Sequence, residues 1–136
     1  MTVQLLSPPE LMQPVPYHHV AIGTGTRQVH VAGQIARDAA SRPTSPGDLA
    51  GQVADALRST AVGLRAAGAG FADVVRLTFY VVDWTPEAIG PFMAGVERVT
   101  EELGLPRPMP PASLIGVAYL FEPDVLVEVE ATAVLD

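Results

Sequence analysis

The chain has no cysteine, and its eight basic residues are all arginine, so lysine is missing as well. Without cysteine there is no disulfide, no thiolate nucleophile and no zinc–cysteine centre. Without lysine there is no Schiff base to pyridoxal phosphate or to a carbonyl substrate. A P-loop is excluded too, because its motif needs a lysine on the phosphates. Positive charge is scarce: 15 acidic residues against the arginines leave a net charge of −7. The arginines are scattered from Arg27 to Arg107. Nucleic acid is gripped through its phosphates by clustered cations, so it is not an expected partner. Long hydrophobic runs are also lacking. A bilayer span needs about 20 consecutive apolar residues, and no membrane partner is expected. The first ten residues show no basic segment followed by an apolar core, so no signal peptide is expected and the cytoplasm is the expected compartment.

What is present suits a globular domain. At 136 residues and 49% hydrophobic content, one domain spanning 1–136 with a sizeable core is expected. Residues 1–13 read as a loose arm, since Pro8, Pro9, Pro14 and Pro16 oppose a helix. Residues 17–22 and 28–32 read as strands joined across Gly23-Thr24-Gly25-Thr26, which predicts a hairpin. Residues 37–47 read as a polar loop. Ser45 is the expected helix cap, with Pro46 at the first helical position and Asp48 three after the serine. Leu49, Val53, Leu57, Ala61 and Leu64 then form one stripe, up to a stop at Gly68.

Residues 72–82 are β-branched and aromatic and predict a strand. A second helix is predicted over 86–103, regular only from Pro91 after a short separate turn, and ended by Gly104. Four prolines between Pro106 and Pro111 make a stiff connector. Pro110 to Asp136 holds an apolar run, the turn Phe121-Glu122-Pro123-Asp124 and a valine-rich run, and predicts a closing β-hairpin with a loop of about four residues. The order is β-β-α-β-α-β-β. It predicts an α+β fold with one mixed sheet and two helices on one of its faces. The other face is expected to stay bare while carrying Val, Ile and Leu, which argues for self-association.

The last strand carries the main candidates. Glu128 and Glu130 share one face of an otherwise apolar run. Their Cα atoms are expected roughly 6.5–7 Å apart. If both were desolvated, repulsion at an effective dielectric of about 20 would amount to about 2–2.5 kcal/mol, enough for one to keep its proton near neutral pH and act as acid or base. The alternative is that one bonds a backbone or arginine partner and the other faces water. His18 and His19 are adjacent, so on a strand they point to opposite faces and cannot chelate one ion. Neither a metal site nor a cofactor is expected. Ser113 has no histidine near it in sequence to make it a nucleophile.

Several segments together resemble the RidA/YjgF family of imine and enamine deaminases. They are Pro16-Tyr17-x-His19, Val31-Ala32-Gly33-Gln34-Ile35, the helix from Gln52 to Gly68, Phe71 to Thr78, and Val127-Glu128-Val129-Glu130-Ala131. The resemblance covers roughly residues 14–134. It implies a chorismate-mutase-like (YjgF-like) fold, a homotrimer, and small-molecule sites in the clefts between subunits. Active deaminases of the family read Pro-x-Arg-Ser or Pro-x-Arg-Thr before the last strands, and that arginine holds the substrate carboxylate. Here the matching residues are Pro110-Pro111-Ala112-Ser113, so an alanine stands at the arginine position. By the same resemblance, Glu128 is the acidic group that positions or activates water. Tyr17 is the pocket tyrosine, Gly33 the backbone donor and Ser113 the pocket hydroxyl. Pro91 stands where an asparagine is often found, and Arg107 either replaces the missing cation or is a solvated loop residue. The expected function is hydrolysis of an imine, enamine or related reactive metabolite, other than the usual carboxylate-bearing one. The alternative is a trimer that binds a metabolite or a partner without turnover. Ala112→Arg is not expected to be neutral for ligand preference. Unchanged binding of carboxylate and non-carboxylate ligands would remove residue 112 from the cleft.

Overall fold

The computed structural model describes residues 2–136. Six strands and two helices follow one another as β1 (Val3–Leu6), β2 (Val20–Gly23), β3 (Arg27–Gln34), α1 (Leu49–Ala66), β4 (Val74–Val82), α2 (Ile89–Leu103), β5 (Ala112–Val117) and β6 (Val127–Leu135). Single 3-10 turns, Phe71–Asp73 and Pro86–Ala88, precede β4 and α2. The main sheet has the order β3-β6-β4-β5. Its β3–β6 and β6–β4 pairs are antiparallel, while β4 and β5 run parallel. Parallel neighbours need a crossover, and α2 supplies it.

Alternation along β4 explains the layering. Leu77, Phe79 and Val81 lie across from Ala131, Val129 and Val127, and all six are buried. They form the floor on which both helices pack. The helices approach closely at Gly95, where a Cβ would run into the backbone carbonyl of Ala50. A larger residue there would force α1 and α2 apart. Asp48, not Ser45, caps α1 and accepts from Gly51 N–H at 3.0 Å. Ser45 instead donates to Asp55, and Pro46 lies ahead of the helix. Regular helix in α2 starts two residues before Pro91, which the first turn tolerates because its N–H would have no partner there. Among the described residues no helix is long and apolar enough to cross a membrane.

Pairing differs from the sequence expectation in three places. The expected loose arm contains β1, which pairs antiparallel with β2, and Val3 is buried. Four residues are too few to stand out in sequence, yet β2 offers them a complete ladder. Consequently β2 and β3 do not form the expected hairpin. Thr24 N–H bonds to Thr2 C=O, and the chain then crosses to a different sheet, where β3 pairs with β6. Nor do β5 and β6 form the closing hairpin, because β4 lies between them. The intervening residues 118–126 form a crossing loop rather than a tight turn.

Distant side chains hold that loop. Arg37 grips Asp124 with two hydrogen bonds, at 2.7 and 2.9 Å, and reaches Glu122 at 3.1 Å. The buried Gln52 of α1 donates to Asp124 C=O at 3.0 Å and accepts from Leu126 N–H at 2.9 Å. The open face of the sheet is also not the apolar surface expected. It carries His30, Arg76, Thr78, Tyr80, Ser113, Glu128, Glu130 and Thr132, as the register dictates, with Ile115 exposed among them. Gln52→Ala would leave two loop backbone groups without partners, at a cost of about 2 kcal/mol. A urea midpoint lowered accordingly at unchanged slope is the expected measurement, and an unchanged midpoint would show that the amide does not hold the loop.

Candidate functional site

Glu128 sits on the open face, directly across from Tyr80. Its carboxyl lies against Gly33, where β3 bulges between Val31 and Gln34. A Cβ at residue 33 would overlap that carboxyl, so the glycine makes room for it. Burial first, and then the negative charge of Glu130, push the Glu128 carboxyl above the ordinary glutamic-acid range. Among the described residues Glu128 makes no salt bridge, whereas Glu130 accepts a 2.7 Å hydrogen bond from the Tyr80 hydroxyl. That bond, followed by burial, raises the proton affinity of Tyr80 in turn. The two glutamates are therefore not equivalent. One is held by a phenol, and the other is half-buried against Gly33.

Tyr17, Ala112 and Ser113 gather elsewhere. They line a cavity of about 220 Å³ at the start of β5, on the side where α2 packs. Tyr17 is held there by pairing with Met109, reinforced by His18 N–H to Met109 C=O at 2.7 Å. Ala112 pairs with Leu77, and its side chain joins the helix-facing layer. Phe79 and Phe92 form part of the wall, edge to face at 4.9 Å between ring centres. Ser113 lies on the next register pair, and its hydroxyl accepts from Arg76. The five expected site residues thus divide within one chain: Glu128 lies with Gly33, Tyr17 and Ala112 line the cavity, and Ser113 stands at its edge with its hydroxyl turned to Arg76 on the open face.

Arg107 does not reach the second group. It pairs with Glu97 at 2.6 Å and lines a different groove with Pro16 and Met93. Tyr80 and Arg76 were not singled out in the sequence, although the polar–apolar alternation of Arg76-Leu77-Thr78-Phe79-Tyr80 places them on the glutamate face. A wider concavity of about 480 Å³ on that face is lined by His30, Arg76, Thr78, Glu130 and Thr132. The histidines are occupied separately: His18 with Ser7 at 3.1 Å, His19 with Met12 C=O at 2.9 Å and His30 with Gln28 at 3.1 Å. Among the described residues no three potential ligands converge on a metal position.

Stability should report the state of Glu128. Unfolding returns its carboxyl to the ordinary range. Between the ordinary and the raised value the folded chain binds more protons, so this group's contribution is present at low pH and is lost as pH rises through the folded value. Glu128→Gln removes that dependence. Relative to the unsubstituted protein, the variant should gain stability as pH rises from the ordinary carboxylate range toward neutrality, measured by urea midpoints at each pH. A difference that stays constant with pH would contradict the raised proton affinity.

Comparison with known proteins places the chain in a family. The sequence model described as Endoribonuclease L-PSP matches residues 10–135. A Yersinia pestis protein of unknown function from the conserved Rid family shares 34% identity, with 99% of this chain and all of that one covered, at a TM-score of 0.87. A Mycobacterium tuberculosis member of the YjgF/YER057c/UK114 family shares 32% identity over 98% of this chain and 99% of its own, at a TM-score of 0.60. TdcF of E. coli, solved with bound serine, is 24% identical over 90% of this chain and 97% of its own, with a TM-score of 0.68, a likeness of fold. No match was found among the curated proteins. By the family pattern over residues 10–135 and the end-to-end likeness to two of its members, the chain belongs to the Rid/YjgF family.

Proposed function

We propose that the protein is a Rid-like hydrolase of an imine, enamine or related reactive metabolite, working in clefts between the subunits of a homotrimer. The observation that carries this reading is the Glu128 carboxyl, half-buried beside Gly33 with its proton affinity raised. A carboxylate of raised pKa is a better base than an ordinary one. It can take a proton from water as the oxygen adds to the C=N carbon, and then return that proton to the nitrogen. Collapse of the carbinolamine releases ammonia and leaves a carbonyl compound, so one water is consumed per imine.

The division of the site residues into two groups supports a composite cleft. Glu128 and Gly33 of one copy would face the Tyr17–Ala112–Ser113 cavity of another. In that arrangement the Gly33 backbone N–H and the Tyr17 hydroxyl orient the ligand, the Ser113 hydroxyl meets it from the open face together with Arg76, and Ala112 leaves space where the family's arginine would stand. Cleavage of RNA, suggested by the family description, is disfavoured by the net charge of −7 and the missing lysine. Binding without turnover is the second reading, and it draws on the uncharged wall around Ala112.

Ammonia release from a panel of imines generated in solution tests the proposal. Glu128→Gln should lower the rate by about 10²–10⁴-fold, the usual span for loss of a general base. Failure of the unsubstituted protein to consume any imine, or equal rates in both forms, would overturn it. Ligand binding with no turnover would establish the second reading.

A further inference from the structure

The cavity beside Ala112 indicates what kind of group it accepts. It is lined by Phe79, Phe92, Leu114 and three of the chain's four methionines, Met12, Met93 and Met109. Among the described residues its lining holds no charged side chain; Tyr17 is its polar group, while Ser113 at its edge turns its hydroxyl to Arg76 on the other face of the sheet. Transferring a carboxylate into such surroundings without a cation is strongly unfavourable. An aromatic ring, by contrast, suits them. Phe79 and Phe92 already sit edge to face, and methionine sulfurs make favourable contacts with ring edges. At about 220 Å³ the space exceeds the roughly 150 Å³ in which an apolar protein cavity takes up benzene.

We propose that this cavity is an aryl-recognition pocket, and that the ligand is a neutral aryl-substituted imine or its carbonyl counterpart, with the ring among the methionines and no carboxylate next to the C=N carbon. The assignment rests on the hydrolase reading above for the identity of the C=N group, but the pocket's preference for neutral aryl groups does not depend on turnover. Ala112 is the residue that sets the preference. A methyl group there completes the apolar wall, and an arginine would fill part of the space and bring in a charge. Tyr17 is the polar group that the ligand's heteroatom would meet on leaving the pocket.

The methionines provide the readout. In protein carrying ¹³C-methyl methionine, acetophenone should shift the Met12, Met93 and Met109 methyl signals in a saturable way. Benzoylformate has the same ring and ketone with a carboxylate in place of the methyl, and acetone lacks the ring. Both should bind at least about tenfold more weakly than acetophenone, given the cost of an unpaired charge and the loss of ring burial. Ala112→Arg should reverse the order between acetophenone and benzoylformate. Ala112→Leu should weaken acetophenone without improving benzoylformate, which separates filling from charge should the arginine variant fold poorly.

Unmoved methionine signals with acetophenone, or tighter binding of benzoylformate to the unsubstituted protein, would overturn the pocket assignment. Neither result bears on ammonia release from imines that carry a carboxylate, which would leave the hydrolase reading in place. Conversely, tight acetophenone binding by a protein that consumes no imine would uphold the pocket and remove the hydrolase.

Discussion

Strand β4 is hydrogen-bonded along both edges, and everything else follows from its register. Its apolar residues Leu77, Phe79 and Val81 must meet the helices, so Arg76, Thr78 and Tyr80 must face away. Each neighbour inherits this choice. In β6 it sends Val127, Val129 and Ala131 inward and leaves Glu128 and Glu130 outside. Slipping the pairing by one residue would place both carboxylates beneath α1 and α2 while exposing the valines. The register that builds the core is therefore the one that presents the glutamates together, and the unusual proton affinity of Glu128 is a by-product of correct packing.

Glycine completes the arrangement on the other side of β6. Where β3 bulges, its backbone approaches the Glu128 carboxyl as no residue with a Cβ could, which shields that group from part of the solvent. Tyr80 then differentiates the glutamates by bonding one of them. Thus a strand pair on one side, a bulge on the other and a single phenol turn two chemically identical side chains into one bonded by Tyr80 and one half-buried against Gly33 with its proton affinity raised.

Much of this was legible in the chain, and the remainder failed for a consistent reason. Period-two alternation exposed β4 and β6, the apolar stripe exposed α1, and the spacing of Glu128 and Glu130 put them on one face. These are local signals. Pairing is not local. Phe121 to Asp124 does turn, but the strands it connects are separated by β4, and the loop is secured by Arg37 and Gln52 from far up the chain. Likewise β1 is visible only once β2 is known to need a partner. The site showed the same pattern. Glu128 could be selected from its strand and the family likeness, whereas Tyr80 acquires meaning only through the antiparallel register that sets it opposite Glu128. Nor does the sequence show that Arg107 pairs with Glu97 of α2.

The methionine-lined wall has a consequence for how this protein can change. Unbranched thioether side chains re-pack without moving the backbone, so the wall built by Met12, Met93 and Met109 is pliable. The Glu128 side is pinned by strand pairing, a bulge and a glycine contact. Under the proposed function, substitutions among Met93, Ala112 and their neighbours would retune which molecules are admitted while the Glu128 carboxyl stays where the register puts it. Such a molecule separates its grammar from its vocabulary: one wall can change shape through single mutations, and the other tolerates few.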